Sequence, residues 1–125
     1  RDFAFIGPES TAAAVAARCA SAQEAFWPYH DRLFAAQGAE NSGVYGTSAL
    51  IAISRSLGLD GVRFEACLAD PVLHRQVAAE TEAGRSRGVV STPTLDFGGR
   101  AIAGVPRYEA LDALVRQLAD AGDPP

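Results

Sequence analysis

Val89-Val90-Ser91-Thr92-Pro93-Thr94-Leu95-Asp96-Phe97-Gly98-Gly99-Arg100-Ala101-Ile102-Ala103 is the stretch that decides the fold. It is β-branched and aromatic, and Gly98-Gly99 supplies the residue type that a two-residue hairpin turn requires at positive φ. The reading predicts a strand over Thr92–Phe97 and a return strand over Arg100–Ala103. Pro93 interrupts the run, and from the residues alone it reads as an ordinary trans X-Pro at a strand's start. Beyond the hairpin, Gly104 and Pro106 break the pattern. Tyr108, Leu111, Leu114, Val115 and Leu118 then recur at helical spacing, and residues 121–125 read as a tail.

Upstream, the hydrophobic period is helical for most of the chain. Pro8 suits a first helical turn and Glu9 favours a helix start, after which Ala12, Val15, Ala16, Cys19 and Ala22 form one stripe that turns Cys19 inward. A second helix is predicted from Ala25 to Gln37 on Phe26, Tyr29, His30, Leu33 and Phe34. Thr47 sits where an N-cap belongs before Leu50, Ile53 and Leu57, and Gly58 can close that helix. Asp60 can cap a short helix that places Phe64, Cys67 and Leu68 on one face. Asp70-Pro71 opens a longer helix through Leu73, Val77 and Thr81 that fades at Gly84 to Gly88. Ahead of all these, Asp2 to Ile6 is a short apolar burst closed by Gly7-Pro8, which suits a strand.

Composition bounds the function. With 125 residues, 48% hydrophobic, the chain has one domain's worth of length. A net charge of -4, carried against 11 singly scattered arginines, gives no electrostatic reason to expect nucleic acid or an anionic membrane as partner. No stretch reaches membrane-span length, and no signal-peptide pattern opens the chain. The sequence contains no Met, so Arg1 is not an initiator and the chain is expected to be part of something longer. Cys19 and Cys67 stand too far apart for a Cys-x-x-Cys metal or redox site, leaving either two buried thiols or one long-range disulfide. His30, on the aromatic stripe, reads as a core histidine, and His74 as part of a solvated face. No Cys, His or carboxylate partners stand at ligand spacing, so no metal site is expected. Ser42 and Ser91 lack an evident base, and Glu80 with Glu82, two apart on a helix, is a charged face.

The order strand, block of helices, proline-led hairpin and closing helix carries four phrases: Phe5-Ile6-Gly7-Pro8-Glu9-Ser10, Phe26-Trp27-Pro28-Tyr29-His30-Asp31-Arg32-Leu33-Phe34, Glu40-Asn41-Ser42-Gly43 and Ser91-Thr92-Pro93-Thr94. In that order and spacing the chain resembles the DsbA-like branch of the thioredoxin superfamily, from Phe3 to Leu118. The resemblance implies an α/β thioredoxin-like fold with a helical insertion over 8–88, flanked by a strand at 2–6 and by the proline loop, hairpin and final helix over 89–120. It implies a cis peptide bond at Pro93, with Thr92 and Pro93 offering backbone groups to an extended protein substrate. It also implies a Cys-x-x-Cys at a helix start, where the dipole favours the thiolate. This sequence has no such motif, so the catalytic pair, together with the central strand and the redox helix, is expected before Arg1, and no catalytic residue is assigned in this chain.

Related chains carry an extra disulfide in the insertion, and Cys19 with Cys67 suits one, closing a loop for which the chain-entropy model gives about 4 kcal/mol. Such a bridge implies an extracytoplasmic location, and reduced thiols a cytoplasmic one. The implied function is disulfide formation or exchange without a cofactor. Its partners would be unfolded or thiol-containing proteins at the proline loop and a redox partner protein. The alternatives are the isomerase and glutathione-transferase relatives of the family, or a non-catalytic binding module. With the central strand absent, the strands at 2–6 and 92–97 are expected to pair directly, to form a strand-swapped homodimer, or to need the missing segment.

Overall fold

The computed structural model describes residues 1–121. They divide into two compact units, one over Arg1–Gly84 and one beginning at Arg85. The expected tail residues 122–125 lie outside the described residues, whereas Ala121 still belongs to the last helix.

The first unit is helical: α1 (Pro8–Ser21), α2 (Phe26–Ala35), α3 (Thr47–Ser56), α4 (Gly61–Leu68) and α5, which starts at Pro71 and runs on to Ser86. α1 is its axis, packing on α2, α3 and α4. Its alanines explain why: Ala16 and Ala20 are fully buried, and so small a surface lets neighbouring helices approach closely. Around Val15 and Cys19 of α1 the core gathers Tyr29 and Leu33 from α2, Leu50 from α3, Phe64 from α4 and Val77 from α5. The Tyr29 and Phe64 rings meet at 5.4 Å, and the Tyr29 hydroxyl donates to the Leu50 carbonyl at 2.9 Å, so the one polar atom of that ring is satisfied.

The helix boundaries follow local chemistry. Asp60 caps α4 by accepting from the Arg63 N–H at 3.0 Å, and the Asp70 carboxylate accepts from the Val72 N–H at 2.8 Å at the start of α5. Gly58, at φ +70°, follows the end of α3 as expected. Thr47, however, is the first helical residue and Gly46 is the cap, because the Gly46 N–H already closes a turn onto the Gly43 carbonyl at 3.0 Å.

Asp2–Ile6 is not a strand. Among the described residues no strand lies beside it, and side chains of α5 take its backbone donors instead. The Asp2 N–H donates to Glu80 Oε2 at 2.8 Å and the Ala4 N–H to Thr81 Oγ1 at 3.0 Å. Phe3 lies over Gly84, where a Cβ would come within 2.7 Å of its ring. Among the described residues Asp2–Ile6 therefore makes no strand ladder.

The second unit contains β1 (Thr94–Phe97), β2 (Arg100–Ala103) and α6 (Tyr108–Ala121). The strands pair antiparallel with Leu95 opposite Ile102 and Phe97 opposite Arg100. Gly98 and Gly99 take φ of +63° and +100°, and the Asp96 carboxylate accepts from the Gly99 N–H at 2.8 Å, which fixes the turn. β1 starts two residues later than the sequence suggests, because Thr92 and Pro93 form the loop that leads into it. α6 turns Leu114 inward.

Candidate functional site

Thr92 and Pro93 are both exposed, and the peptide bond between them is cis. Two contacts hold the loop: the Thr94 hydroxyl donates to the Ser91 carbonyl at 2.7 Å, and the Gly104 N–H donates to the Pro93 carbonyl at 2.8 Å. The second contact extends the β1–β2 register by one pair. It leaves the Thr94 and Asp96 backbone groups aimed away from β2, along an edge that no strand among the described residues occupies. Asp96 also faces Arg87 at 3.8 Å across this unit.

Cys19 and Cys67 form a disulfide with their Cα atoms 5.7 Å apart, so no free cysteine is present. Cys19 is buried in α1 and Cys67 half-buried in α4, and the bond staples the helices on which Val15 and Phe64 form the core. The proline loop belongs to the other unit. A sulfur pair in this state carries no attacking thiolate.

His30 is not a core residue. The buried face of α2 is Tyr29 and Leu33, and His30, one residue round the helix, falls at its edge with 36% of its side chain exposed. There it bonds to Asp31 at 3.1 Å and lies among Phe26, Trp27 and Phe34, the last at a ring distance of 4.6 Å. Trp27 and Phe34, seven apart, present this aromatic face to solvent. The i, i+7 spacing was the available signal, but Trp27 stands off the predicted core stripe.

A charge cluster was also missed. The Arg18 guanidinium bridges Asp2 at 2.5 Å and Glu80 at 2.7 Å. Its bond to Glu80 raises the Arg18 pKa, while the Arg18 and Asp2 N–H contacts hold the Glu80 carboxyl below the usual range. Glu80 thus has its own bond, unlike a merely solvated face. Burial pushes the Tyr29 and Tyr45 phenols up, Tyr45 with help from nearby Glu9. Among the described residues, no three His, Cys, Asp or Glu side chains gather to hold a metal ion, and no helix is long and apolar enough to cross a membrane.

A helical unit closed by a disulfide, followed by a proline-led hairpin and a last helix, defines a thioredoxin-like domain with mixed helices and a two-stranded sheet. The chain belongs to the thioredoxin family, whose profile, described as Thioredoxin, matches residues 1–117. It is 34% identical over 110 residues to the Na(+)/H(+) antiporter NhaA 1 of Salinispora arenicola (strain CNS-205), a match covering 88% of this chain and 16% of that protein. The Na(+)/H(+) antiporter NhaA 3 of Salinispora tropica (strain ATCC BAA-916) is likewise 34% identical over 110 residues, with the same 88% and 16% covered. The chain thus spans about a sixth of the length of the curated relatives it matches. No solved structure matches it.

Proposed function

We propose that this domain is the substrate-presenting portion of a DsbA-like thiol-disulfide oxidoreductase whose exchanging cysteine pair lies outside these 125 residues. The observation that carries the reading is a thioredoxin-family chain whose two cysteines are both consumed in a buried cross-link. In this reading an extended protein substrate lies along the exposed Thr92-Pro93 loop and pairs with the open edge of β1, while the outside pair exchanges its disulfide through a mixed intermediate. The partners are unfolded or thiol-containing proteins and a redox partner protein. The Cys19–Cys67 bond favours an oxidising, extracytoplasmic setting.

A second reading is favoured by the relatives themselves. Both are named as sodium–proton antiporters. A thioredoxin-like domain that serves such a transporter as a non-catalytic binding module would keep the proline loop without dithiol chemistry.

An insulin-reduction assay separates the two when run on the natural full-length protein and on the 125-residue chain. The oxidoreductase reading expects turnover by the former alone, lost when the outside cysteines become serine. No turnover from a full-length protein that lacks a Cys-x-x-Cys sinks it and leaves the binding module.

A further inference from the structure

A cleft of about 380 Å³ opens within the helical unit, between α1, α3, α4 and the beginning of α5. That volume falls in the range of small-molecule sites, roughly 300–1,000 Å³. Fully buried Val15 and Leu50 lie beneath it, half-buried Ala12, Ile51 and Leu68 form its apolar wall, and its polar lining is Thr47, Glu65 and His74.

His74 Nε2 lies 2.8 Å from the Leu68 carbonyl, which only accepts, so Nε2 donates there. One Glu65 oxygen takes the Arg55 guanidinium at 3.2 Å, and the other has no partner among the described residues. The cleft thus offers the Glu65 carboxylate and the Thr47 hydroxyl, whose lone pairs can accept, beside half-buried apolar side chains. The Cys19–Cys67 bond joins the two helices that supply Ala12 and Leu68, so the walls are held at a fixed separation before any ligand arrives.

We propose that this cleft binds a small hydrophobic amine. Its alkyl or aryl body lies on Ala12, Ile51 and Leu68, and its ammonium meets the Glu65 carboxylate and the lone pairs of the Thr47 hydroxyl. The assignment is independent of the redox reading, since neither the proline loop nor an outside cysteine takes part.

The test is a heteronuclear NMR titration of the oxidised 125-residue chain with n-hexylamine, beside 1-hexanol and hexanoate as matched neutral and anionic probes. The amine is expected to give saturable shifts confined to the cleft, hexanol weaker ones and hexanoate none. Glu65→Gln should weaken amine binding about fivefold, the worth of one exposed ion pair, and Leu68→Trp, which fills the floor, should abolish it. No saturation by the amine, hexanol or hexanoate binding as tightly, shifts centred elsewhere, or an unchanged affinity in Glu65→Gln each overturn the proposal. Should either variant fail to fold, the three-probe comparison on the unaltered chain decides alone.

Discussion

Replacing both cysteines, Cys19→Ala with Cys67→Ala, tests the role assigned to the cross-link. The bond spans a sequence separation of 48 and so closes a loop for which chain entropy gives about 4 kcal/mol. Measured values for such bridges run at about 2–4 kcal/mol, and the loss of two sulfurs from α1 and α4 adds little volume change. The bond lies wholly in the first unit, so the transition to follow is that of Arg1–Gly84. For a unit of that size, each kcal/mol moves the midpoint by about 4–8 °C, and the expected fall is roughly 10–25 °C. Far-UV circular dichroism during thermal and urea unfolding reads it, because α1 to α4 and most of α5 reside in that unit. Reducing the unaltered protein before the melt should give the same shift. A loss below about 1 kcal/mol, or rapid alkylation of both cysteines in the native protein, would refute the argument that this pair is a structural clamp.

The remaining expectations concern the same unit. Glu80→Gln removes the bond to Arg18 and weakens that to the Asp2 N–H; with the side chain a third exposed, solvent screening limits the loss to about 1 kcal/mol, read by urea unfolding. The pH dependence has a definite sign: the Glu80 carboxyl is held below its ordinary value of 4.5, so its contribution is complete above that value and disappears as pH falls through the lowered one. Glu80→Gln should therefore flatten the acid limb of the stability profile, and an unchanged limb would contradict the cluster. Tyr29→Phe removes the hydroxyl bond to the Leu50 carbonyl, which keeps its place in the α3 backbone ladder, and should cost about 0.5–1.5 kcal/mol; a neutral result would mean that the bond adds nothing. Phe64→Ala empties a fully buried site against Tyr29 and should cost about 3–5 kcal/mol, measured by the same unfolding curve.

Where the sequence pattern was local, it was legible. Pro8, Asp60, Asp70 and Gly58 act through the few residues beside them, and the helices they delimit begin and end close to expectation. Gly98-Gly99 fixed the hairpin for the same reason. Asp2–Ile6 misled because an apolar burst signals burial and extension but not the partner of its backbone. Glu80 and Thr81, almost eighty residues away, supply the hydrogen bonds that a neighbouring strand would have made. Alternating spacing holds no information about so distant a partner. His30 misled in a related way: the stripe on α2 is wider than the face that the core covers, and only packing decides that Tyr29 and Leu33 go in while His30 and Phe34 stay out.

The cysteines mark the boundary between what periodicity and what topology can supply. Helical spacing put Cys19 on the inner face of α1 and Cys67 on that of α4, which admits a bond without requiring one. The bond exists because α1 and α4 lie side by side, and they do so because Ala16 and Ala20 give α1 a surface narrow enough for its neighbours to close on Val15 and Phe64. The same closeness decides the chemistry. Two sulfurs bonded in that contact cross-link the helices and hold no free thiolate. In the proposed reading, exchange in the whole protein uses other cysteines. In that reading this domain contributes the groups left exposed, Thr92, Pro93 and the edge of β1 that no strand among the described residues occupies.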